Sequence, residues 1–187
     1  MGSIILLFLF LGIIIIVFLI LFLIIYNSLV MLKNHVSKAW SNIDVLLKQR
    51  YEELPKLVET VKGYMKYESN LFKDITKARA SYNNSKNLKE VVQSNELITS
   101  TLNSIFIAVE NYPNLKANTN FQKLQLRISE LEDMIADRRE FFNDCVTTYN
   151  TRIQQIPYNF FAKILNYKIK KLFDIKEFEK KKINLDL

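Results

Sequence analysis

This chain is poor in whatever breaks a helix and poor in whatever builds a reactive centre. Of its 187 residues only three are glycine, three proline, one cysteine and one histidine. So few glycines and prolines argue against a turn-rich β fold and favour long uninterrupted helices. The single thiol, Cys145, excludes an internal disulfide and leaves the chain indifferent to redox compartment. A lone histidine, His35, cannot assemble a metal site, which takes three or four converging ligands. No Walker loop, G-x-S-x-G, H-E-x-x-H or C-x-x-C occurs anywhere. The sequence offers no assembled catalytic site, asks for no cofactor, and is read as non-enzymatic.

Charge is also missing where it matters most. From Ile4 to Ile25 there is none, and only Gly12 is neither aliphatic nor aromatic. A helix of that length spans roughly 33 Å, against a hydrocarbon core of about 30 Å. The segment is expected to be an uncleaved transmembrane anchor. A secretory signal would need a basic n-region, a shorter apolar run and a small-residue cleavage site. Here the start is Met1-Gly2-Ser3 and the run ends in Tyr26-Asn27-Ser28. N-myristoylation at Gly2 is disfavoured by Leu6, which stands where the acyl motif wants Ser or Thr. Lys33 and Lys38 follow the segment and no cation precedes it. The positive-inside rule then puts the N-terminus outside and the rest in the cytoplasm of a single-pass cell-membrane protein, with the reverse arrangement as the alternative.

Beyond the anchor the dominant signal is helical periodicity. Leu29, Leu32, Val36, Trp40, Ile43, Leu47, Leu54, Val58, Val61 and Met65 recur at threes and fours, one apolar stripe on a helix. No Gly or Pro separates this stripe from the anchor, so the two are expected to be continuous. Pro55 predicts a kink near 51–55, with the helix continuing through Gly63 to about Ser81. A polar turn over 81–87 precedes a second stripe of Val91, Asn95, Ile98, Leu102, Ile105 and Val109. Asn111-Tyr112-Pro113-Asn114 is a helix stop, and Asn118 or Thr119 can cap the next helix. The third stripe is Phe121, Leu124, Ile128, Leu131, Ile135, Arg138, Phe142, Cys145, Tyr149, Ile153 and Ile156, ending at Pro157. The expectation is an all-α protein: a transmembrane helix, then an elongated antiparallel bundle of three to four long helices. Its parts are an anchor over 1–25, a bundle over 26–157 and a basic, aromatic tail over 158–187.

Several runs resemble the LemA family. They include Tyr26-Asn27-Ser28-Leu29-Val30, Ala39-Trp40-x-x-Ile43-Asp44-Val45-x-Leu47-Lys48-x-Arg50-Tyr51, and Leu54-Pro55-x-Leu57-Val58-x-x-Val61-Lys62-Gly63-Tyr64. Ala78-Arg79, the run from Glu110 to Asn118, Asn120-Phe121-x-x-Leu124-Gln125, Ile135-Ala136-x-x-Arg139 and Tyr149-Asn150-Thr151-Arg152 come after them in order. The resemblance implies a bacterial antiparallel helical bundle on one N-terminal membrane span. It implies no reaction, no catalytic residue and no cofactor. The chain departs from the family pattern in its Asn-rich 81–87 loop and its lysine-rich tail.

The remaining candidates each carry a bland reading beside a functional one. His35 fits an interfacial polar residue better than a ligand. Cys145, between Phe142 and Tyr149, is expected to be a buried, inert thiol. Glu130, Glu132, Asp133 and Asp137 suit a solvated face better than acid–base work. Among polar residues near the stripes (Asp44, Arg50, Lys62, Glu68, Arg79, Asn95, Arg138, Asn143 and Asn150), at least one interhelical ion pair is expected, most simply Asp44 with Arg138. The corner Glu110, Asn111, Tyr112, Pro113 is either a docking loop or a helix terminator. The net charge of +7 is weighted to the tail, which holds eight lysines. Lys168, Lys170, Lys171 and Phe173 are candidate contacts to anionic lipid, unless the tail's aromatics cover the bundle instead. The expected partners are membrane lipids and an unidentified protein, with a homo-oligomer as a further option and no nucleic acid. The sequence reading is a non-enzymatic, membrane-tethered scaffold or interaction module. An anionic-lipid-binding surface protein is the alternative.

Overall fold

The computed structural model describes residues 2–65 and 68–173, and among these every regular element is a helix. In chain order they are α1 (Gly2–Lys62), α2 (Ser69–Asn83), α3 (Leu88–Val109), α4 (Pro113–Lys116), α5 (Thr119–Gln154) and α6 (Tyr158–Ile164). The expected all-α class stands. Anchor and first bundle stripe share α1, as their uninterrupted pattern requires. The first 25 residues of α1 hold the one segment long and apolar enough to cross a membrane among the described residues. Its mean hydropathy is 3.7, and none of that window is buried. Such a helix fits membrane association.

One expectation about the first helix is corrected. Pro55 lies inside α1, exposed, between the buried Leu54 and Leu57, and the helix runs on past it. The interruption falls later, after Lys62, so α1 does not continue to Ser81. Gly63 disfavours helix by about 1 kcal/mol relative to alanine. Beyond it the Tyr64 and Met65 amides both donate to the Val61 carbonyl at 3.0 Å, closing the last turn. Residues 66 and 67 lie outside the described residues.

The chain divides into two compact units. Among the described residues, one is drawn from those up to Trp40 and from Phe141–Leu172, the other from Ser41–Glu140 with Phe173. In the second, Leu54, Leu57 and Val61 from α1 join Leu71 and Ile75 from α2, Ile98, Leu102 and Ile105 from α3, and Phe121 and Ile128 from α5 in one core. Side chains at i, i+3 and i+4 spacing line one helical face, and burying that face against neighbours is what stabilises each helix. The short α2–α3 link is capped at its α3 end. The Asn87 side chain accepts from the Glu90 amide, while the Glu90 carboxylate accepts from the Lys86 amide and the Asn87 side-chain amide, both at 2.7 Å. This is a capping box. Asn118 caps α5, accepting from the amides of Asn120 and Phe121.

In the first unit the buried residues of α1 (Ile25, Leu29, Val36, Ala39) belong with Phe142, Val146, Tyr149 and Ile153 of α5 and with Phe161 and Ala162 of α6. The Trp40 ring meets Phe142 edge-on at 5.8 Å. The third stripe drifts from the expected register. Val146 is buried in place of the expected Cys145, and Cys145 is half-buried. Arg138 is exposed, and Ile156 lies beyond the helix, 85% exposed. A straight α-helix turns in 3.6 residues, so a strict heptad slips off the buried face over this length.

Candidate functional site

The most concentrated polar chemistry in the described residues is built on Arg50. It sits on α1 three residues after Leu47 and four before Leu54, which puts it on the apolar face, 1% exposed. Burial of a guanidinium is tolerated only with partners, and three neighbours provide them. Nη1 donates to Thr99 Oγ1 on α3 at 2.9 Å and to the Glu132 carboxylate on α5. Nη2 donates to the Asn95 side-chain oxygen and to its backbone carbonyl at 3.3 Å. Thr99 in turn donates to Glu132 at 3.3 Å. Burial pulls the Arg50 pKa below its ordinary value, and the Glu132 charge only partly restores it. Arg50 Nε and Asn95 Nδ2 have no hydrogen-bond partner among the described residues. Beside the cluster Tyr51 stacks on Tyr82 at 4.9 Å, and the Arg79 guanidinium lies over Tyr51 at 5.3 Å. Burial, then the nearby Asp44 charge, pushes the Tyr82 phenol up.

The cluster ties α1, α3 and α5 together. Its one carboxylate accepts from two donors, and no thiol or imidazole belongs to it. An open groove of about 530 Å³ between α3 and α5 reaches Glu132. Leu102, Phe106, Gln122, Gln125 and Ser129 line it as well, giving hydrocarbon, two amides and a hydroxyl.

The expected Asp44–Arg138 pair is corrected. Both residues are exposed, and no ion pair joins them among the described residues. An interhelical pair joins Arg50 to Glu132 instead. Glu132 does not share the solvated face expected for its acidic neighbours, because it lies four residues after Ile128 and three before Ile135, both buried. That spacing marks it as core-facing. The same rule marks Arg139, four after Ile135 and three before Phe142, rather than Arg138. Arg139 lies over the Phe173 ring at 4.6 Å. Glu130, Asp133 and Asp137 are exposed, as is His35. Among the described residues no group of three or more His, Cys, Asp or Glu is placed to hold a metal ion.

The corner at 110–113 is built as a terminator. Tyr112 stands at the N-cap position of α4, Pro113 opens the helix, and Glu110 pairs with Lys116 at 2.5 Å on the surface. The Tyr112 hydroxyl donates to Glu68 at 3.3 Å. The tail contradicts part of its expected lipid role. Phe173 is 2% exposed, so it cannot be a lipid contact. Lys170 is held through its backbone: its amide donates to Asn150 Oδ1 at 2.9 Å and its carbonyl accepts from Asn150 Nδ2 at 2.8 Å. The Tyr149 hydroxyl donates to the Lys168 carbonyl at 3.0 Å. The Lys168 and Lys171 side chains are exposed, and the later lysines lie outside the described residues.

The chain is similar in sequence to several known proteins. Protein LemA of Metamycoplasma hominis is 26% identical over 155 residues, covering 82% of this chain and 71% of that protein. Magnetosome protein MamQ 2 of Paramagnetospirillum magneticum is 33% identical over 75 residues, 40% of this chain but only 28% of its own length. Magnetosome protein MamQ of Magnetospirillum gryphiswaldense is 31% identical over 67 residues, 36% of this chain and 25% of its length. The chain thus spans well under a third of the MamQ proteins it matches. The LemA family model matches residues 39–186, taking in most of the bundle and the tail, and the chain belongs to the LemA family.

Proposed function

We propose that this protein is a single-pass, membrane-tethered scaffold: a helical bundle that presents an interaction surface to a protein partner and carries out no reaction of its own. The observation that carries the reading is the use to which its buried charge is put. Arg50, Asn95, Thr99 and Glu132 are spent on one another in fastening three helices. The exposed apolar segment of α1 supports a bilayer anchor. The cations Lys33 and Lys38 after it favour an outside N-terminus and a cytoplasmic bundle. The similarity to magnetosome proteins over 75 residues supports a role at a cellular structure rather than in metabolism.

Crosslinking of the full-length protein in intact cells, read by mass spectrometry, tests this. The expected result is a recurring partner joined through the surface of residues 41–140. Crosslinks only between copies of the chain would replace the scaffold by a self-assembling protein. A reporter enzyme fused after Leu187 checks orientation, with cytoplasmic activity expected and external activity reversing the assignment.

A further inference from the structure

We infer that the turn from Ile156 to Ile164 dips into the bilayer beside α1, as a second membrane contact that inserts without crossing. The inference rests on residues 4–25 being the span. Phe161, on the buried side of α6, packs its ring 5.6 Å from Phe22 and 6.3 Å from Phe18, both inside the apolar segment of α1. Phe22 and Phe18 lie about 5 and 10 Å inward from Ile25 at about 1.5 Å per residue. The turn is therefore level with hydrocarbon. Were it in water, the bilayer would begin deeper than Phe18. That would leave residues 4–17, about 21 Å of helix, to cross a core of about 30 Å.

The side of the turn away from α1 is made for lipid. Ile156 is 85% exposed, Phe160 60% and Ile164 65%, with Phe160 and Ile164 one turn apart on the same face. Several of its backbone groups are paired internally, which lowers the cost of placing them in hydrocarbon. The Asn159 amide donates to the Gln155 carbonyl, Phe160 to Pro157 and Leu165 to Phe161. At the end of α6 the Asn166 amide donates to Lys163, and the Tyr167 amide to Ala162 at 2.8 Å. Asn166 is left-handed at φ 56°, completing a Schellman motif that turns the chain outward. The return is visible at Tyr167, whose ring lies 5.8 Å from the Lys33 ammonium, eight residues beyond Ile25. The exposed Lys163 can reach up to headgroups along its stem.

The full chain, carrying Cys145→Ser and one new thiol labelled with an environment-sensitive fluorophore, is reconstituted in vesicles of phosphatidylcholine and phosphatidylglycerol in equal parts. Labels are placed through Ile164→Cys, Leu19→Cys in the anchor and Leu126→Cys, which is 62% exposed on α5. Spin-labelled lipid should quench at position 164 about threefold more strongly than at 126, with aqueous iodide giving the reverse order. Quenching at 19 but not at 164, with iodide reaching 164, overturns the dip and leaves the anchor standing. A site at 164 reached by neither quencher is covered by protein, either a second copy or a partner, and also overturns it. Loss of lipid quenching at 19 as well removes the span and the dip together.

Discussion

Arg50 on α1 donates to Glu132 on α5, and the two ends of this pair differ in exposure: the arginine side chain is 1% exposed and the carboxylate 33%. The asymmetry decides which deletion hurts more. Glu132→Leu strands a guanidinium that cannot reach water, at a cost of about 3–5 kcal/mol. Arg50→Met strands a carboxylate that can turn outward. It also leaves the Asn95 oxygen unpaired, at about 1–3 kcal/mol. Denaturant unfolding of the detergent-solubilised protein should rank them in that order. The double substitution should recover part of the Glu132→Leu loss, and an equal or reversed ranking would mean that Arg50 finds water when unpaired.

Arg138→Met should be close to neutral, within about 0.5 kcal/mol, because the residue is exposed and forms no ion pair among the described residues. Arg139→Met removes a cation from above Phe173 and should cost more. Matched melting curves of the two variants check the shift of register by one residue.

Asn150→Ala removes both hydrogen bonds that hold the Lys170 backbone. About 1–3 kcal/mol of local stability should go with them. Hydrogen exchange at the Lys170 amide should quicken by one to two orders of magnitude, about what that energy implies. Unchanged protection would show that the Tyr149–Lys168 contact alone holds the segment.

Alkali should weaken the fold. Burial raises the Tyr82 and Tyr149 phenols above their ordinary value, with Asp44 adding to the rise at Tyr82 and Tyr167 at Tyr149. Above pH about 10 the unfolded chain releases these protons while the folded chain still holds them, so unfolding is favoured as pH rises. Below that pH the contribution is fully present. Tyr82→Phe should therefore move the midpoint of alkaline unfolding upward, and an unmoved midpoint would place the loss elsewhere.

Cys145 should alkylate more slowly than a free thiol at pH 8. Burial, and then the neighbouring Asp144 charge, push its pKa up and deplete the thiolate. Asp144→Asn should speed the reaction. A rate equal to that of glutathione in the native protein would contradict this.

Helix type and most of the core were legible because periodicity alone dictates them: Ile98, Leu102, Ile105 and Val109 sit as their spacing requires. The polar cluster was half legible. Arg50 and Asn95 stood out as charge and amide within apolar stripes, but which carboxylate meets Arg50 depends on how α5 lies against α1. Glu132 was hidden because neighbouring acids made it look like a solvated face. The break at Gly63 lost to Pro55 as an expected disturbance, since proline is the stronger breaker in isolation. An outward-facing proline in a well-packed helix is tolerated when its neighbours hold the buried face. The reversal at Asn166 carried no glycine to announce it.

The grip of Phe161 on Phe18 and Phe22 bears on how fragments of this protein behave. Cutting away the first 25 residues to obtain a water-soluble piece strips two rings from Phe161 and leaves Phe160 and Ile164 on the same bare corner. Such a piece would be adhesive for a reason unrelated to its folding. A trimmed version that also drops the short helix after Pro157 should stay dispersed where the longer one clumps.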